Sequence, residues 1–171
     1  MKATKLLLIV LSCMLVIGCK RNSDEPTPPT PQYPIITMDS LKSYFPYKTG
    51  DRVVFRLREI SVNYTVNEAT FASKDNKIIA NISMDGSVPT FGTPFHVKLA
   101  AEVTDNHILK TTFSLASSGQ PKVGSFEYDT AKKGVLPDKF NYSCGAIVEK
   151  NIGLTHYLDV QGSEWDYFNN K

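Results

Sequence analysis

Cys19 closes an apolar run immediately behind Gly18, and a thiol so placed is a soft, easily ionised nucleophile suited to alkylation. Few other residues have the type and spacing to do chemistry. Three histidines, His96, His107 and His156, lack the i, i+4 spacing of a helical metal site, and no cysteine pair accompanies them. Cys144 lies in Phe140-Asn141-Tyr142-Ser143-Cys144-Gly145-Ala146-Ile147-Val148, where alternate positions are apolar, so it is expected to pack as a small hydrophobe. Asp159, Glu164 and Asp166 gather near the C-terminus. Two of them could share acid/base work if a fold set the distance between them, but alternating charge on an exposed strand face accounts for them more simply. With no Gly-x-Ser-x-Gly elbow, no glycine-rich phosphate loop and no calcium-loop series, no catalytic residue, metal or cofactor is assigned.

Aromatic residues are the better lead, because exposed rings bring large contact area at low entropic cost. Tyr157 and Tyr167, flanked by His156 and Asp166, are the rings expected to touch a ligand, while most others are expected in the core.

Positioning of these residues falls to three segments. Residues 1–18 read as a removable export signal: Lys2 and Lys5, then roughly a dozen apolar residues, fewer than the roughly 20 of a membrane span, then a small residue before the cut. Its removal takes away two lysines and no acid, leaving equal numbers of basic and acidic side chains in the mature chain. A neutral chain without a Lys/Arg cluster gives no electrostatic reason to bind nucleic acid. Residues 19–36 contain five prolines among small polar residues and read as a linker, reaching roughly 50 Å if extended. Cys13 leaves with the signal, so Cys19 is the one other cysteine beside Cys144 in the mature chain.

Residues 37–171 read as one antiparallel β domain. Thr37 or Asp39 caps a short helix that Pro46 ends. Period-two alternation then predicts strands near 51–59, 61–71, 77–84, 94–103, 107–115, 123–128, 140–149, 153–160 and 164–168, divided by turn residues such as Asp85-Gly86 and Gln161-Gly162. Eight or nine short strands with short connections imply an all-β meander, curled into a half-open barrel or packed as a sandwich.

The tetrapeptide Val16-Ile17-Gly18-Cys19 resembles the bacterial lipobox. That resemblance implies a diacylglyceryl group on Cys19, and Lys20 directly after it implies the outer membrane; Ser23-Asp24-Glu25 is similar to surface-export signals of Bacteroidetes lipoproteins. The stretch Tyr44-Phe45-Pro46-Tyr47-Lys48-Thr49-Gly50, with Asn151-Ile152-Gly153-Leu154 and Gly162-Ser163-Glu164-Trp165 far downstream, resembles small Bacteroidetes outer-membrane lipoproteins and implies no activity. Physically, Pro46 and Gly50 shape a turn into the first strand, and Trp165 can seal the last hairpin against the Gly153 strand. Asp39-Ser40-Leu41 and Asp129-Thr130-Ala131 match the O-glycosylation pattern of that lineage, which implies sugars on Ser40 and Thr130. The expectation is a lipid-anchored envelope protein, displayed at the cell surface, whose β domain binds a partner or supports an envelope complex without catalysis. A glycan-binding accessory role and an envelope hydrolase are the alternatives.

Overall fold

Strand alternation builds the architecture of this computed structural model, which describes residues 32–88, 94–117 and 120–168. The signal, Cys19 and the linker to residue 31 lie outside the described residues. In chain order the elements are α1 (Met38–Tyr44), β1 (Arg52–Leu57), β2 (Ile60–Lys74), β3 (Lys77–Ser87), β4 (Pro94–Thr104), β5 (Ile108–Ala116), β6 (Lys122–Asp129), α2 (Thr130–Lys133), β7 (Lys139–Asn141), β8 (Ile147–Glu149), β9 (Gly153–Leu158) and β10 (Glu164–Tyr167). All ten strands are antiparallel in one sheet, ordered β6, β5, β4, β3, β2, β1, β10, β9, β8, β7. The sheet curls into a nearly closed barrel: across the seam Phe126 of β6 stacks on Phe140 of β7 at 4.8 Å, and Ser125 N donates to Ser143 Oγ at 3.4 Å.

The tenth strand comes from residues 140–149, where the sequence predicted one strand. Tyr142 N donates to Ala146 O and Gly145 N to Tyr142 O, a tight turn that folds β8 back on β7. Alternation runs through this hairpin unbroken, because Phe140, Tyr142, Ala146 and Val148 all return to the buried side. Cys144 sits in the turn, half-buried against Gly124 instead of within a core strand.

Two irregularities change which residues face inward. Beyond Val66 the β2–β3 register slips by one, so the buried set Val62, Tyr64, Val66 gives way to the partly buried Ala69 and Phe71. A second slip, between Ile147 and Val148, lets Leu154 and Tyr157 of β9 both face in although they are three residues apart.

Aromatic side chains fill the interior. Phe55 packs against Tyr64, Tyr157 and Tyr167 with ring centroids 5.7, 5.0 and 6.0 Å away. The buried Tyr64 and Tyr157 hydroxyls bond each other at 2.8 Å, and burial pushes both pKa values up. Gly86 faces the Tyr64 ring, where an added Cβ would collide with it. Trp165 stacks on Tyr157 across the last hairpin, 6.2 Å apart and 12° from parallel.

The barrel has two unlike ends. At the helix end α1, capped by Thr37, buries Leu41 and Tyr44, with Phe45 beside them. Tyr44 stacks on Phe140 at 4.1 Å and donates to Pro137 O at 2.7 Å. Burial, with Asp138 nearby, pushes the Tyr44 pKa up to about 12. The domain begins at Tyr33, earlier than the predicted boundary at 37: Ile36 is buried and its N–H donates to Asn106 O at 2.7 Å. At the turn end lie Arg58-Glu59 between β1 and β2, the Tyr142–Ala146 turn, and the turn from Asp159 to Ser163.

Candidate recognition groove

Side chains on the outer wall of β1, β10 and β9 form a continuous polar row. Register places Arg56 opposite Asp166 and Asp166 opposite His156, and alternation along β10 turns Trp165 inward and Glu164 and Asp166 outward. His156 Nδ1 lies 2.8 Å from Asp166 Oδ1, and the Arg56 guanidinium stacks on the Phe168 ring, 3.1 Å from its centroid. From this row an open groove of about 860 Å³ runs to the turn end, lined by Leu57, Arg58, Glu59, Ser163 and Glu164 as well as Arg56 and Asp166.

Arg58 is the unusual residue of the groove. Leu57 pairs with Ile60, so Arg58 and Glu59 alone make the turn, and Arg58 has φ +54°. Two-residue hairpins need a positive φ to match strand twist, and Gly, Asn or Asp normally supply it. At the other positive-φ positions among the described residues, Asp75, Asn76, Asp105, Asn106 and Asn151 follow that rule, as do the glycines. A long side chain there costs about 1–2 kcal/mol. The chain retains that strain where it puts a guanidinium on the groove's lip.

Electrostatically the groove carries both signs. Away from the groove, Glu102, Glu149 and Asp129 are held below the usual carboxylate range. Hydrogen bonds from Lys77 and Lys139 hold Glu102 and Glu149 low, and at Asp129 the bonds from Lys132 and Ala131 N outweigh the upward push of burial.

Several sequence expectations are corrected here. Tyr157 is fully buried and cannot offer its ring to a ligand, because the slip in β9 brings it inside. Asp159 is buried too, accepting from Gln161 N and Ser163 N at 2.9 Å each and from Trp165 Nε1 at 3.1 Å. It holds the β9–β10 turn and is not available to pair with Glu164. Thr130 is buried, its hydroxyl donating to Pro34 O at 2.5 Å, so the folded domain offers no acceptor for a sugar there. Ser40 is half-buried in the first turn of α1, with Oγ 3.0 Å from Thr37 Oγ1.

Tyr167 is half-buried against Phe55, and its accessible part lines a cleft of about 450 Å³ with Pro46, Arg52, Asn151 and Ile152. Beneath that cleft Tyr47 accepts a hydrogen bond from Leu154 N at 2.6 Å, and Gly153, φ +94°, leaves room for the Tyr47 hydroxyl. The histidines are dispersed: His96 sits 2.6 Å from Asp85, His107 Nδ1 sits 2.7 Å from Asp105 O, and His156 sits on Asp166. Cys19 lies outside the described residues.

Sequence reasoning singled out His156, Glu164 and Asp166 but missed Arg56, Arg58 and Glu59. One signal was present: the stretch Leu57-Arg58-Glu59-Ile60 joins two alternating strands with no Gly, Asn or Asp in the turn. No family model, curated protein or solved structure matches the chain.

Proposed function

We propose that this chain is a lipoprotein of the bacterial outer membrane, tethered through a lipid on Cys19 and displayed at the cell surface. Its β domain recognises an envelope protein through the Arg56–Arg58 groove, without catalysis. The observation that carries the reading is Arg58, held in a left-handed conformation that glycine would adopt without strain. The filled barrel interior supports it as well, since aromatic side chains occupy it and the buried Tyr64 and Tyr157 hydroxyls are spent on each other. The mixed charge of the groove suits a polar protein surface, where Arg is favoured for its planar, multi-donor head and its ability to stack on rings.

Arg58→Gly separates fold from function. The variant is expected to be about 1 kcal/mol more stable in urea, through relief of strain. A photo-crosslinker at Glu164 should capture a discrete adduct in wild-type cells and lose it in Arg58→Gly. An adduct of unchanged yield in a stabilised Arg58→Gly overturns the recognition reading. The tether is tested separately: Cys19→Ala should abolish fatty-acid labelling and leave unprocessed precursor, and retained labelling refutes it.

A second reading, glycan binding, is favoured by the Tyr167 cleft, where part of a ring lies among Asp51, Arg52 and Asn151. Loss of polysaccharide retention in Arg52→Ala, with Arg58→Gly unaffected, would select it.

A further inference from the structure

Ile35 and Val135 are the most exposed large hydrophobic residues among those described, at 62% and 73% of their full accessible area. Both border one cleft of about 210 Å³ at the helix end, with Leu136, Tyr44 and Lys150 on its walls. Neither is on a loose segment. Thr130 Oγ1 holds Pro34 O and Asn106 O holds Ile36 N, one residue to either side of Ile35. On the other rim Tyr128 Oη lies between Lys133 O at 3.1 Å and Val135 O at 2.9 Å, with its one proton placed to reach either. Two branched aliphatic side chains are thus fixed outward, at a standing cost in exposed apolar surface.

Three lysines lie near the pair: Lys150 on the cleft wall, and Lys132 and Lys133 just before Val135 in the chain. The Lys132 side chain is 81% exposed and is answered by Asp129 at 3.2 Å. Lys133 lies 5.3 Å from the Tyr128 ring, and Lys150 lines the cleft, each with no carboxylate at ion-pair distance among the described residues. Exposed apolar residues with lysines beside them match a surface of acyl chains under phosphates.

Chain length selects that surface over other apolar partners. Only the thirteen residues Lys20–Gln32 separate Cys19 from the domain's first residue, a span of at most about 45 Å. The chain meets the domain two residues before Ile35, so a lipid on Cys19 gives this face a high effective concentration at the membrane.

We infer that the helix end rests on the phosphate-bearing membrane surface through Ile35 and Val135, with Lys133 and Lys150 facing the phosphates. This rests on the tether at Cys19. It leaves the groove, at the turn end, directed away from the membrane.

The test uses lipidated full-length protein in vesicles of phosphatidylglycerol and phosphatidylethanolamine, in a Cys144→Ser background. An environment-sensitive fluorophore is placed at Val135→Cys or, as control, at Val123→Cys near the far end of β6. Position 135 should be blue-shifted and severalfold more strongly quenched by doxyl-labelled lipid than position 123. Lys133→Glu and Lys150→Glu should each weaken the bound population about fivefold or more, and Ile35→Asp should abolish the difference while leaving the thermal midpoint near wild type. Equal quenching at both positions, in protein that floats with the vesicles, overturns the docking and leaves the tether standing. Protein that fails to float overturns both. Shielding of position 135 in whole cells but not in vesicles assigns the face to a protein partner and overturns the inference.

Discussion

The two ends of the barrel are closed by different means. At the helix end Ile36, Leu41, Tyr44 and Phe45 bury apolar surface over the strand ends, whereas at the turn end the Asp159 carboxylate gathers two backbone N–H groups and the Trp165 indole N–H. Burial is non-directional and tolerates variation at its margin; a carboxylate accepting three donors fixes geometry to a fraction of an ångström and leaves its neighbours free to be polar. The turn end can therefore keep Arg58 in a costly conformation beside Glu59, and the helix end can show Ile35 and Val135 to an apolar surface without loosening the core.

Four substitutions would break or sharpen that contrast. Tyr44→Ala removes the stack on Phe140 and the bond to Pro137 O, and should cost about 3–5 kcal/mol by urea denaturation, the largest effect expected. Asp159→Ala should cost about 2–3 kcal/mol, since it strips a charged acceptor from three donors and strands the Trp165 indole N–H. Its signature is a change in Trp165 fluorescence before global unfolding, which Tyr44→Ala should not give. If Asp159→Ala left stability and fluorescence unchanged, the hydrogen-bonded closure of the turn end would be wrong.

Thr37→Ala removes the cap of α1, whose Oγ1 accepts from Ser40 N at 3.1 Å, and should cost about 1 kcal/mol. Hydrogen exchange should rise in α1 while the β9–β10 turn is unaffected. Smallest is a pH effect at the Lys139–Glu149 pair, 2.9 Å apart. Lys139 holds the Glu149 pKa below its ordinary value, so the pair's contribution is present above that ordinary value and fades as pH falls through the lowered one. The stability gap between wild type and Lys139→Met should thus be seen at neutral pH and close in acid as pH falls through the lowered Glu149 value; a gap that widens in acid would contradict the assignment.

Much of the strand framework was legible because alternation is local. In β4, Phe95, Val97, Leu99, Ala101 and Val103 face inward as their spacing requires, and Thr37 caps α1 because a hydroxyl next to a helix start has an N–H within reach. The same alternation concealed the hairpin in residues 140–149, since a turn that returns each apolar residue to the same side leaves period two intact. It also misplaced Tyr157, because a one-residue slip reverses which parity is buried and nothing local marks the slip.

By itself, then, the sequence determined that this domain is an antiparallel all-β meander with one short capped helix before it, as each of those features is set by neighbours a few residues apart. Tertiary structure decided the rest: that the sheet curls until β6 meets β7, that Asp159 turns inward to Trp165, and that Arg56, Asp166 and His156 from three strands share one outer row. The physical reason is that alternation states which side of a strand a residue faces, while what lies across from it depends on register, and register is settled only when the strands pair.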